Sequence, residues 1–320
     1  MANPAWERSD VSGWSVHSVE KAATSVATWL IDPDTGDRWL HKDTVVPTNG
    51  FEQGEDWSEL VSTSIAQLLG VPCADTRLCL RHGKRGSLSK DVNIQGHSLY
   101  NGYVVLEECP DVADYFPHME GAPGVDPERP LVKRPGHRLD NIQTALNGAV
   151  APSSFSGPAA LDAFDVFVGY LMLDALIANR DRHEQNWAVL TPGLTTLPVQ
   201  LAPSYDHATS LGYNLTDDRR QGVLKNSAAL AKWASAGTAW RFEHEGNAKR
   251  AQTLVDLAVE ALELASDDAA AHWSAQLHLL AIDGVIEELA DGAIPAMSVD
   301  ASKFACELIN HNLERMTDVI

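Results

Sequence analysis

Asp165-Val-Phe-Val-Gly-Tyr-Leu-Met-Leu-Asp-Ala-Leu-Ile-Ala-Asn-Arg-Asp-Arg-His-Glu-Gln-Asn-Trp-Ala-Val-Leu190 changes character in its middle, and Tyr205-Asp206-His207 follows soon after. Leu161, Phe164, Val168, Leu171, Met172, Ala175 and Leu176 recur at the three-to-four-residue spacing of one buried helical face. The pattern stops at Ala178-Asn179-Arg180, polar residues follow, and Trp187 to Leu190 is an apolar run too short for a helix and shaped like a strand. Polar side chains are therefore expected on a loop clamped between two packed elements.

Asp181 and Asn186 are separated by four residues, so both can turn into one cleft. Asp206 arrives after the strand, a turn at Thr191-Pro192-Gly193 and a second apolar stretch through Leu201. Phosphoryl transfer from a nucleotide needs one carboxylate at the attacking hydroxyl, then an amide oxygen and a second carboxylate to hold magnesium against the phosphates. Any one of these residues alone reads equally as a cap or turn former. The order Asp-Arg-His-x-x-Asn and then Tyr-Asp-His points to the chemistry.

Asn179-Arg-Asp-Arg-His-Glu-Gln-Asn-Trp187 and Pro203-Ser-Tyr-Asp-His-Ala-Thr-Ser-Leu-Gly212 resemble the catalytic and metal-binding segments of HipA-like serine/threonine kinases, relatives of the phosphatidylinositol kinases. The resemblance runs from about residue 25 to 215 and takes in Trp39-Leu-His-Lys42, Gly54-Glu-Asp-Trp-Ser-Glu-Leu60 and Leu68-Leu-Gly-Val-Pro72. It implies an α+β, two-lobed protein-kinase-like fold: residues 1–24 as an N-terminal segment, 25–105 as a small sheet-rich lobe and 106–320 as a larger, mostly helical lobe. It implies ATP and Mg2+ as cofactors, with Asp181 orienting or deprotonating the acceptor hydroxyl and Asn186 and Asp206 ligating the metal. His183 shares the acid/base role or shapes the loop. Lys42 becomes the cation at the nucleotide phosphates, paired with Glu55 or, preferably, with Glu59 one turn further into its helix. Ser87-Leu-Ser-Lys90, and so Ser87 and Ser89, is expected near the hinge that binds adenine.

Two departures limit the likeness. Full-length toxin kinases carry an additional N-terminal subdomain for antitoxin contact, for which residues 1–24 leave no room, so an antitoxin partner is not carried over. Gly13 and Gly36 are isolated, and none of Ser12, Ser15 or Ser18 matches the family's phosphate loop with its regulatory serine.

The chain has 320 residues, 44% of them hydrophobic, and a formal charge of −20, which opposes docking of a polyanion on a basic face. Direct nucleic-acid binding is not expected. Cys73, Cys79, Cys109 and Cys306 show neither a Cys-x-x-Cys pair nor zinc-ligand spacing. The N-terminus lacks a signal-peptide pattern, and no apolar stretch approaches membrane-spanning length. The expectation is a cytoplasmic protein with no membrane contact.

Elsewhere, Ser25–Ile31 and Arg38–Val46 read as a hairpin about Asp32-Pro-Asp-Thr-Gly-Asp37, and Trp57–Leu69 as a helix after an irregular Pro47–Gly54. Thr76–Leu80, Arg85–Ser89 and Tyr103–Leu106 read as strands, residues 110–136 as a long surface loop, lid or disordered insertion, and Arg138–Leu146 as a short helix. Ala251–Leu264, His272–Leu289 and Ala301–Met316 carry helical periodicity. ATP and a protein substrate are the expected partners. A small-molecule or lipid kinase, a nucleotide-binding pseudokinase, and a metal-dependent phosphohydrolase built on Asp181, His183, Asp206 and His207 are the competing readings.

Overall fold

The computed structural model describes residues 6–21, 26–48, 50–119, 122–194 and 196–320. Ser25, where the first hairpin strand is expected to begin, lies outside them. The N-terminal part is a six-stranded sheet of order β1-β5-β6-β4-β3-β2, built from β1 (Arg8–Asp10), β2 (Ser15–Lys21), β3 (Val26–Ile31), β4 (Arg38–Asp43), β5 (Thr76–Arg81) and β6 (Lys84–Lys90). The β1–β5 pair is parallel and all others are antiparallel.

Strand alternation divides the side chains of this sheet between two faces. Val11, Leu30, Trp39, Cys79 and Leu88 form a small core on one. Leu78 joins Trp57, Leu60, Val61, Ile65 and Leu69 of α1 (Glu55–Leu69) in the main core on the other. Lys42, Ser87 and Leu78 are register partners across β4, β6 and β5, so Lys42 stands on the α1 side of the sheet.

From β7 (His97–Asn101) onward helices dominate: α2 (Gly102–Glu108), α3 (Leu139–Ala145), α4 (Ala163–Ile177), α5 (Asp217–Val223), α6 (Ser227–Ser235), α7 (Leu254–Leu264), α8 (Asp267–His278), α9 (Asp283–Ala290) and α10 (Val299–Thr317). Strand β11 (Ala188–Pro192) lies between β7 and β12 (Gln200–Leu201). Two-residue pairs join β8 (His118–Met119) to β9 (Ala122–Pro123) and β10 (Val132–Lys133) to β13 (His244–Glu245). The result is a mixed α+β chain, sheet-rich in its N-terminal part and helical in its C-terminal part. Among the described residues no helix is long and apolar enough to cross a membrane.

Helix α4 departs from the one-sided pattern read above, because every residue from Ala163 to Ile177 is buried. It starts with a capping box, Asp162 accepting from the Asp165 amide at 2.9 Å and Asp165 accepting from the Asp162 amide at 3.4 Å. Asp165 also accepts from Ser266 Oγ at 2.8 Å, stitching α4 to the start of α8. An ideal Cβ on Gly169 would lie 2.4 Å from the Trp273 ring, so α4 and α8 approach through glycine. Gly169→Ala is expected to destabilise the protein: overpacking costs about 1–3 kcal/mol, against a helix-propensity gain of at most ~1 kcal/mol. Thermal unfolding checks it, and a raised midpoint would show that Trp273 yields freely.

Three other expectations change. Tyr103–Leu106 is helical rather than extended, because the Gly102 and Tyr103 amides bond to the Trp187 and Glu184 carbonyls at 2.9 and 3.1 Å and leave the β7–β11 ladder. His272–Leu289 is split at residues 279–282, since Leu280 and Ile282, two positions apart, are both buried and no single helix buries both on one face. Within segment 110–136, expected as a loop, lid or disordered insertion, the described residues 126–136 are tied to the helical part. Arg129 bonds Asp126 at 2.7 Å and Glu243 at 3.0 Å, and the Gly136 amide donates to Glu243 at 2.6 Å.

Candidate active site

The loop between α4 and β11 is held from beneath by a buried ion pair. Arg182 Nε and Nη2 donate to Asp174 Oδ2 and Oδ1, both at 2.8 Å, with both side chains 2% exposed. Arg182 Nη1 also donates to the Asn186 carbonyl at 2.6 Å, so it braces the loop instead of facing a phosphate. Asn179 is the second brace. Its Nδ2 donates to Asp174 Oδ1 at 2.8 Å, while its Oδ1 accepts from the Asp181 amide at 3.1 Å and Thr209 Oγ1 at 3.2 Å. Ala178, at φ 54°, turns the chain out of the helix in a left-handed conformation.

Asn186 Nδ2 donates to the Asp181 carbonyl at 2.8 Å, so Asn186 Oδ1 is the oxygen left for a ligand. Asp181 is half-buried, and its Oδ1 accepts from Arg241 Nε at 2.6 Å and pairs with Nη2 at 2.5 Å. His183 Nε2 lies 3.9 Å from Asp181 Oδ2, beyond a hydrogen bond. The Gln185 amide donates to His183 Nδ1 at 3.1 Å, which assigns the ring proton to Nε2. Burial, against the opposing charge of Asp181, lowers the His183 pKa to about 4, so the ring is neutral at physiological pH. In this state the ring accepts the Gln185 amide at Nδ1 and carries its proton on the nitrogen nearer Asp181.

Asp206 follows β12 and sits at φ 61°, a strained conformation for a non-glycine residue. Its Oδ1 accepts from Lys42 Nζ at 2.8 Å. Burial alone would raise this carboxyl, but the Lys42 charge and hydrogen bond outweigh it and hold it below its ordinary value. Burial likewise pushes the ammonium down, and Asp206, with Glu59 contributing, holds it above.

The expected Lys42–Glu59 ion pair is not formed. Glu59 Oε1 instead lies 3.5 Å from His207 Nδ1, and His207 Nε2 meets Ser204 Oγ at 2.7 Å, with Lys42 drawn to the nearer acid. Helix α1 grips the same segment through Ser58 Oγ, 2.9 Å from the Ser210 carbonyl. Ser87 and Ser89 stand within β6, opposite Lys42 and Leu40, and not in the linker that follows the strand. They share the Lys42 side of the sheet.

Glu55 is engaged elsewhere, its Oε2 accepting from the Val45 amide at 3.3 Å. Burial raises its pKa to about 7. The folded protein therefore holds a proton there that the unfolded chain releases above about pH 4.3. That contribution to stability is present below this pH and is lost as pH rises through 7. Glu55→Gln is expected to be more stable than wild type at pH 8, by on the order of 1–2 kcal/mol after solvent screening, and no more stable at pH 4. Urea unfolding at the two pH values decides it, an equal difference at both being the contrary result.

Arg241 and His137 carry no signal in the motifs read above. The only hint is an arginine flanked by aromatics in Trp240-Arg241-Phe242. The Arg241 guanidinium carbon lies 3.9 Å from the Trp240 ring centroid. His137 Nδ1 is 2.8 Å from the Arg241 carbonyl, Trp187 Nε1 donates to His137 Nε2 at 3.3 Å, and Phe242 stacks on His137 at 4.6 Å.

No protein-family model and no curated protein matches the chain. Among solved structures, the Helicobacter pylori proinflammatory kinase CtkA is similar over 98% of this chain and 97% of its own, with a TM-score of 0.68 at 17% identity. The HipA of Shewanella oneidensis MR-1, solved with HipB and operator DNA, gives a TM-score of 0.49 at 11% identity, covering 99% of this chain and 69% of that one. The full-length match to the first of these, with a sheet-rich part leading into a helical part, shows that this chain shares the fold of that kinase.

Proposed function

We propose that the chain is an ATP- and magnesium-dependent phosphotransferase that phosphorylates a hydroxyl of a protein serine or threonine. The observation that carries this reading is one hydrogen-bonded frame. Asn179 ties Asp174, Asp181 and Thr209 together, Asn186 bonds the Asp181 carbonyl, and Lys42 reaches across from the sheet to Asp206.

The donor set fits magnesium: a carboxylate and an amide oxygen are hard ligands, and this ion commonly takes one or two protein groups with phosphate oxygens and water completing its shell. Bound there, it neutralises phosphate charge. Asp206 and Asn186 Oδ1 would hold it, Lys42 would bind the nucleotide phosphates, and Asp181 would orient the acceptor hydroxyl and take its proton. Ser87 and Ser89, on the Lys42 side of the sheet, are available to line the nucleotide space. Catalysis on this reading is positioning and charge neutralisation.

The phosphohydrolase alternative is disfavoured. No group of three or more His, Cys, Asp or Glu able to hold a metal occurs among the described residues, and His207 is engaged with Ser204 and Glu59. Four free cysteines agree with the reducing cytoplasm proposed as its location. The test is incubation with magnesium and ATP labelled at the γ-phosphate, with and without lysate. Label on a protein supports the reading, label on a small molecule moves the acceptor to that class, and neither binding nor transfer sinks it.

A further inference from the structure

In-line phosphoryl transfer gathers negative charge on three equatorial oxygens, and a cation beside them is worth several orders of magnitude in rate. The basic groups around the acid at the head of the loop are accounted for one by one. Lys42 is on Asp206, Arg182 is beneath the loop on Asp174, Arg180 reaches the Thr238 carbonyl and hydroxyl at 3.4 and 3.3 Å, and Arg134 lies 3.8 Å from Glu184. The His183 ring is neutral.

Arg241 differs from all of these. It approaches Asp181 through Nε and Nη2, both on the single oxygen Oδ1, and its Nη1 donates to no protein acceptor among the described residues. Its side chain is 22% exposed, beside an Asp181 side chain that is 25% exposed. Its position is built rather than incidental, with the Trp240 ring beneath the guanidinium and its carbonyl held by His137, itself wedged against Phe242 and Trp187. A planar fork of donors holds two oxygen groups at once, which an ammonium does less well.

We propose that Arg241 is a catalytic residue, holding Asp181 by Oδ1 while its remaining N–H groups meet the transferring γ-phosphoryl group. The inference rests on the phosphotransferase reading. In the step it serves, the acceptor oxygen bonds to the γ-phosphorus as the bond to the bridging oxygen breaks. ADP leaves with that electron pair, and the acceptor proton passes to Asp181 Oδ2, the oxygen Arg241 leaves open.

The test compares, by calorimetry with magnesium, binding of ADP and of the non-hydrolysable imido analogue of ATP to the full chain. Wild type is expected to bind the analogue more tightly than ADP. Arg241→Gln should lose most of that difference with ADP affinity changed less than about twofold, and its turnover should fall by about 10²–10³-fold. Arg241→Ala should regain part of its turnover with millimolar methylguanidinium but not with equal sodium chloride. Arg241→Lys guards against misfolding: it keeps the charge, and is expected to retain ADP binding and only part of the analogue preference. An Arg241→Gln protein with the wild-type preference for the analogue, or no methylguanidinium rescue, overturns the proposal. A wild-type protein that binds neither nucleotide overturns the phosphotransferase reading and this inference with it.

Discussion

Asp174→Ala is expected to cost about 3–5 kcal/mol of stability and to abolish activity, although Asp174 is buried beneath the loop. Arg182 lies in the interior with Asp174 as its bidentate partner, and removing the acid strands a guanidinium that is 2% exposed. The same change removes the acceptor for Asn179 Nδ2, and with it the anchor of the group that holds the Asp181 amide and Thr209. Denaturant unfolding and labelled-phosphate transfer should fall together. Asp174→Ala/Arg182→Met should recover much of the stability, since a buried ion pair replaced by an apolar side chain is often near neutral. Recovered stability without recovered transfer would separate the two roles, because Arg182 also holds the Asn186 carbonyl. A loss below about 1 kcal/mol for Asp174→Ala would show that the pair is far more hydrated than its burial implies.

Asp181→Asn should behave in the opposite way, losing transfer by about 10²–10⁴-fold while the fold and nucleotide affinity are kept. The loop uses the Asp181 main chain for its frame, the amide on Asn179 and the carbonyl on Asn186, and leaves the carboxylate half-exposed with Arg241. The amide is nearly isosteric but cannot take a proton. His183→Gln is expected to be milder, since that ring is already neutral and its Nδ1 is taken up by the Gln185 amide. Initial rates at saturating ATP measure both. Retention of turnover within about tenfold by Asp181→Asn would move the base assignment to His183.

Much of this was written locally. The helix before the loop, the short strand after it, the hairpin about residues 32–37 and α1 each follow from periodicity and turn chemistry within a dozen residues, and each is in place. The bond of Asn186 to the Asp181 carbonyl is local too, spanning five residues. By contrast, Tyr103–Leu106 has an unremarkable strand composition. It coils because the Trp187 and Glu184 carbonyls, distant in sequence, capture the Gly102 and Tyr103 amides at its start.

By itself, then, the amino-acid order determined the oxygen-bearing groups of the loop, their order, and the helix and strand that flank them, because near-neighbour sterics and side-chain period act over a turn or two. Tertiary structure alone decided the partners. Lys42 meets Asp206 across 164 positions and Asp181 meets Arg241 across 60, pairings that no local pattern encodes because charges choose partners by distance in space. It also decided that α4 is buried on every side, since burial depends on how many elements surround a helix and periodicity reports only one.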